Sequence, residues 1–146
     1  MKKTGLLITF LLSTFFLSAQ QIRPDAILGT WLNATGKAEI LLYKTGNDFF
    51  GKIVWLREPN GSDGKPKLDI NNPEPAERSK PIIGTVILRS FVFDRDEWTG
   101  GRIYDPQNGK DYKCIIKLKD PQTLSLRGYI GVSLFGRTEI WTRVKK

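Results

Sequence analysis

The sequence predicts an all-β fold: eight antiparallel strands in meander order, closing into a barrel. Three observations predict it. Short β-branched and aromatic runs recur roughly every eight to twelve positions, bounded by Gly, Asn, Asp or Pro. Beyond the first nineteen residues, no long stretch has a clean helical apolar period with a cap. Tight connections favour an up-and-down order, and closing the sheet removes its exposed edges.

Residues 1–19 read as a secretory signal peptide. Lys2 and Lys3 precede the apolar run from Leu6 to Leu17, and Ser18-Ala19 offers small residues for cleavage. The run is too short to span a bilayer comfortably. Position 20 is Gln, so no thiol is available for a lipid anchor. The expectation is an exported, soluble protein, periplasmic or secreted, that is not a lipoprotein and has no integral membrane segment after cleavage.

Residues 20–146 then form a single domain, long enough to bury one core. Residues 22–27 suggest a short helical turn. Segment 28–33 reads as the first strand, and Thr35-Gly36 turns it into 37–44. Gly46-Asn47-Asp48 turns that into 49–56. A long loop at 57–81 carries Pro59, Pro66, Pro73, Pro75 and Pro81, with a helical turn expected at 74–78. Each proline lacks the amide hydrogen that a central ladder needs. Strands resume at 82–93, 97–104, 110–119, 123–130 and 137–144. The turns between them are Asp94-Arg95-Asp96, Asp105-Pro106-Gln107-Asn108-Gly109 and Asp120-Pro121-Gln122. The last connection, 131–136, is apolar: Val132, Leu134 and Phe135 stand where loops are ordinarily polar.

Composition narrows the chemistry. The chain has 146 residues, no histidine and a net charge of +8. Without histidine, serine-histidine, cysteine-histidine and zinc-histidine sites are excluded within the chain. The lone Cys114 forbids an internal disulfide. It alternates with Tyr112, Ile116 and Leu118, which predicts a buried, inert thiol. Export argues against nucleic acid as a partner for the basic charge; an anionic envelope surface, an acidic ligand or plain solubility suits it better, with solubility the simplest. Asp94, Asp96 and Glu97 lie in a predicted surface turn around Arg95, so no enzyme activity is expected. Asn60, Asp63, Asp69, Asn71 and Asn72 supply oxygens in the long loop, but their spacing fits no EF-hand. No metal and no cofactor are expected, and a solvated, turn-rich loop is.

Gly29-Thr30-Trp31 on the first strand and Arg143 on the last would be neighbours in a closed meander. A guanidinium over an indole face gains roughly 0.5–2 kcal/mol, and a glycine lets another segment come close. This pairing resembles the calycin superfamily, which includes the lipocalins. The resemblance implies that Gly29, Trp31 and Arg143 close the barrel floor. Pro73-Glu74-Pro75-Ala76, Lys80-Pro81-Ile82-Ile83-Gly84, the stretch from Trp98 to Lys110, the stretch from Arg127 to Thr138, and Trp141-Thr142-Arg143 resemble something narrower. Together they are similar to bacterial domain-of-unknown-function family 2147. That resemblance implies an exported lipocalin-like β protein with no assigned activity and no catalytic residues.

Two functions are expected from different classes. In the first, the barrel holds a small hydrophobic or amphiphilic ligand. Trp55, Trp98, Tyr104, Tyr129, Phe135 and Arg137 are its candidate binding residues, because aromatic rings with an arginine grip an apolar molecule bearing a negative group. Leu42, Phe49, Ile53, Trp55, Ile87, Phe91, Ile103 and Leu126 are candidates for the inner wall. In the second, the barrel is filled and serves as a module that contacts an envelope component through the 57–81 loop and the 132–135 lip. Cavity volume discriminates the two. The Asp105, Asn108 and Gly109 pattern is read as turn chemistry.

Overall fold

The computed structural model describes residues 21–145, so the expected signal peptide lies outside the described residues. Eight antiparallel strands form a closed barrel in chain order. They are β1 (Gly29–Leu32), β2 (Ala38–Thr45), β3 (Asp48–Leu56), β4 (Val86–Asp94), β5 (Glu97–Asp105), β6 (Lys110–Asp120), β7 (Thr123–Tyr129) and β8 (Arg137–Arg143). Short 3-10 turns occur at Pro24–Ile27, Pro75–Glu77 and Ser133–Phe135. Among the described residues, no helix is long and apolar enough to cross a membrane.

Alternation builds the interior. Ile40 and Leu42 on β2, Cys114 and Ile116 on β6, and Leu124 and Leu126 on β7 are buried at every second position. The barrel closes through a short β1–β8 pairing, Trp31 opposite Arg143 and Leu32 opposite Thr142.

One end is sealed. The 3-10 turn at Pro24–Ile27 brings Ile27 into the core, fully buried. The Trp31 indole N–H donates to the Ile27 carbonyl at 2.8 Å, and that of Trp98 donates to the Pro24 carbonyl at 3.1 Å. Both indoles are thereby buried with their polar atoms satisfied. Trp98 also packs against Phe93 and edge-on to Phe49, at ring-centroid distances of 5.0 and 6.2 Å.

The opposite end is partly covered by the 57–81 loop, which is tied down rather than merely solvated. Isolated bridges pair Asn60 with Pro66 and Leu68 with Pro81. The Asn71 side-chain amide donates to the Pro106 and Gln107 carbonyls in the β5–β6 turn. Gly109 in that turn has φ +72°, and a Cβ there would collide with the Asn71 carbonyl. A glycine is therefore required for the loop to dock on the hairpin.

Three sequence expectations about the frame are corrected. Residues 82–85 form a turn before β4, not its first residues: the Thr85 N–H donates to the Ile82 carbonyl and Gly84 has φ +99°. Trp55 does not join the inner wall. A bulge in the β2–β3 pairing sets Glu39 opposite Trp55 but Ile40 opposite Ile53, leaving Val54 as the extra residue. The extra residue inverts the alternation, so Val54 and Trp55 are both exposed and Leu56 takes the inward place. Asp69, expected in a solvated loop, is only 2% exposed.

Candidate functional site: an apolar cavity with a charged mouth

The barrel holds a cavity of about 650 Å³ that opens between the β1–β2 hairpin, the 57–81 loop, the β5–β6 turn and the start of β8. Its walls are Ala38 and Ile40 from β2, Ile53 and Leu56 from β3, Ile82, Ile87 from β4, Ile103 from β5, Leu126 from β7 and Trp141 from β8. The strand side chains converge because each occupies an inward position, and Ile82 joins them from the turn before β4. The volume lies within the range of ordinary small-molecule pockets, about 300–1,000 Å³.

Polar groups are confined to the rim. Lys37, Arg57, Lys67 and Arg137 are its cations, and Glu58, Asp105 and Glu139 its carboxylates. Lys67 pairs with Glu58 at 3.5 Å. Arg137 lies 3.9 Å from Glu139, which also accepts the Trp141 indole N–H at 3.3 Å. Asp105 turns its carboxylate onto the Gln107 N–H at 2.9 Å, the expected Asx turn.

Tyr104, at the inner end of this rim, is 4% exposed and donates its hydroxyl to Asp69 Oδ1 at 2.7 Å. The Asn72 amide donates to Asp69 Oδ2, also at 2.7 Å. Burial, with the Asp69 hydrogen bond and charge added, raises the Tyr104 hydroxyl well above its ordinary range. Tyr104 is thus a fixed neutral donor that anchors a buried loop carboxylate to the barrel wall.

The expected binding residues divide. Tyr104 and Arg137 line the cavity. Trp98 does not: it begins β5 at the sealed end, six residues from Tyr104, or about 20 Å along the strand. Trp98 and Tyr104, both expected in the binding site, therefore stand at opposite ends of the barrel. Trp55 faces outward for the reason given above. Tyr129 and Phe135 are also outside the cavity. Phe135 is 79% exposed in the β7–β8 connection, and Gly136 rather than a cavity wall lies against Tyr129. Lys37, Arg57, Leu56 and Trp141 line the cavity although no binding role was expected of them from the sequence. Trp141 was accessible to the alternation that runs Arg137, Glu139, Trp141, Arg143 along β8. Leu56 was not, because the bulge is silent in the sequence.

At the sealed end the Arg143 guanidinium lies 4.1 Å from the Trp31 ring. Its Nη1 donates to the Leu28 carbonyl, its Nη2 to Ala26 and its Nε to Pro121, at 2.7–2.8 Å. Burial pulls its pKa below the ordinary value. Gly29 has φ +121°, and a Cβ there would stand 3.0 Å from Arg143 Nη1. The glycine gives both the backbone conformation and the space that this clamp needs.

Cys114 is 1% exposed, and burial, reinforced by the Glu139 charge, pushes its thiol up to about 12. The folded protein should therefore resist an aromatic disulfide reagent at neutral pH and react only as urea unfolds it. Rapid modification of the native protein would contradict this. Among the described residues, no group of three or more Cys, Asp or Glu side chains is placed to hold a metal ion.

A meander barrel with a sealed floor, an open mouth and an apolar cavity between them defines a lipocalin-like protein. The fold is shared with HP1028 of Helicobacter pylori, a solved structure described as belonging to the lipocalin family. The TM-score is 0.70 and the identity 19%, over 81% of this chain and 82% of that one. The chain belongs to the bacterial family of domain of unknown function 2147, described as an uncharacterized protein conserved in bacteria, whose model matches residues 29–143. No curated protein matches it.

Proposed function

We propose that the protein is an exported, non-catalytic binder of a small hydrophobic or amphiphilic molecule held in the barrel. The observation that supports this is the cavity of about 650 Å³, apolar in its walls and open at one end. A barrel filled by its own side chains would leave no such space, so the cavity favours the carrier over the packed module. The test is mass spectrometry on organic extracts of protein purified gently from an envelope fraction. The expected result is a stoichiometric amphiphile that a refolded control lacks. Leu126→Trp, which fills the cavity from β7, should deplete that amphiphile about tenfold while costing roughly 1–3 kcal/mol of stability. Equal extracts from wild type and a folded Leu126→Trp variant would refute the carrier reading.

A second reading is favoured by one surface feature. Ile130, Val132, Leu134 and Phe135 are 58–79% exposed beside the mouth. Arg127 holds their loop in shape by donating to the Ser133 and Leu134 carbonyls and to the Thr138 hydroxyl. A fixed, exposed apolar lip suits contact with an envelope component during loading or release. A photo-crosslinker at position 134 tests it: one recurring crosslinked component supports the contact, and no crosslink in the envelope fraction opposes it.

A further inference from the structure

We propose that Lys37 and Arg57 form a two-cation seat at the cavity mouth for the carboxylate or phosphate head of an amphiphile whose chain fills the barrel. The inference rests on the carrier reading and deepens it.

The carboxylates of the rim are all engaged. Glu58 is engaged by Lys67, Glu139 by Arg137 and the Trp141 N–H, and Asp105 by its own turn. Among the described residues, Lys37 and Arg57 make no ion pair. They are also neighbours. The Arg57 N–H donates to the Lys37 carbonyl at 2.9 Å. The Arg57 guanidinium lies over the β1–β2 hairpin, so that a Cβ on Gly36 would stand 3.2 Å from Nη2.

The backbone beneath them is fixed. Asn33 Oδ1 accepts the Lys37 and Ala38 N–H groups at 2.9 and 3.2 Å. Ala38, the next residue, already belongs to the apolar wall, as does Leu56, which precedes Arg57. Each strand thus passes from a cation at the rim to an apolar side chain within one residue. That step matches a molecule whose charge ends where its hydrocarbon begins. A guanidinium supplies a planar fork for two oxygens and the ammonium a point charge beside it. Both cations are exposed, so the gain is modest and salt-sensitive.

The experiment is calorimetric titration of delipidated protein at low salt and about pH 8, where a carboxylic acid is ionised. The probes are dodecanoic acid, dodecyl phosphate, 1-dodecanol and inorganic phosphate. The two charged amphiphiles should bind about tenfold more tightly than the alcohol, a difference near 1.4 kcal/mol. The preference should shrink as salt is raised and vanish in the Lys37→Gln, Arg57→Gln double variant, with near-ultraviolet dichroism confirming its fold. Lys113→Gln, on the outer face of β6, should keep the preference.

Equal affinity for acid and alcohol, or a preference that survives in the double variant, overturns the seat while leaving the carrier intact. Failure of all three chain-bearing probes overturns the carrier itself. Inorganic phosphate binding as tightly as dodecyl phosphate overturns the amphiphile and marks the seat as one for a free anion.

Discussion

Arg143→Ala is expected to destabilise the barrel by about 3–4 kcal/mol. The guanidinium makes charge-assisted hydrogen bonds to the carbonyls of Ala26, Leu28 and Pro121. Each such bond is worth about 1.5–3 kcal/mol, and the stacking on Trp31 adds roughly 0.5–2 kcal/mol. The sum is discounted because the group is partly solvent-accessible and contacts that share one side chain do not add. The location magnifies the effect. Arg143 joins three separate segments: the 3-10 turn under the floor, β1, and the β6–β7 turn. It does so where β1 and β8 pair over only two residue positions. Few ladder bonds remain to hold the seam when the clamp is removed. In a domain of this size the midpoint of thermal unfolding should fall by roughly 10–15 °C. Arg143→Lys should recover only a minor part, because an ammonium cannot reach three carbonyls and lie flat on an indole. The preference for charged amphiphiles should be unchanged, since the clamp lies at the end away from the cavity mouth. A melting temperature equal to that of wild type would sink the clamp.

The same seam illustrates what a sequence of this kind reveals. Trp31 and Arg143 stand near opposite ends of the chain, and a closed meander must bring the first and last strands together. Their pairing therefore follows from strand order alone, without knowledge of shear or tilt. Strand positions were equally legible, because Asn108-Gly109, Gly46-Asn47 and Asp120-Pro121 mark turns through local backbone chemistry. The facing of Trp55 was not legible. It depends on one extra residue at Val54, and a bulge arises from the register of two strands, which a single strand does not encode. Trp98 was misplaced for a related reason. Its position on β5 is correct, but which end of the barrel is sealed depends on where the segment at Pro24–Ile27 packs. That in turn determines whether an aromatic residue belongs to the floor or the mouth. The seat at Lys37 and Arg57 was hidden likewise, since an unpaired cation is recognised only after every carboxylate at the rim has been assigned a partner. Asp69 shows the limit most plainly. Within Leu68-Asp69-Ile70-Asn71-Asn72 it is one polar loop residue among several. Only the arrival of Tyr104, thirty-five positions later, makes it a buried acceptor.

Tyr104→Phe should cost about 1–3 kcal/mol near neutral pH, because it strands a lone pair of the buried Asp69 carboxylate without removing any apolar surface. The pH dependence identifies the cause. The hydroxyl titrates well above its ordinary value in the folded protein and near pH 10 when unfolded. A raised folded value means that the native state holds its proton more tightly than the unfolded chain does. The stabilisation is therefore complete below about pH 10 and is lost progressively as pH rises above it, toward the folded value. Wild type should lose stability above pH 10 more steeply than Tyr104→Phe, and the difference between the two should narrow as the solution becomes more alkaline. Urea unfolding of both proteins across that range gives the comparison directly, and lysine titration, common to both, cancels. The loop should register the change as well. Amide hydrogen exchange at Asp69, whose N–H donates to the Lys80 carbonyl, and at Asn72, whose N–H donates to the Asp69 carbonyl, should quicken in the variant. Exchange at β6 and β7, which hold no part of this network, should change only as much as global stability requires. Parallel alkaline stability curves for the two proteins would show that the Tyr104 hydroxyl does not hold the loop to the barrel.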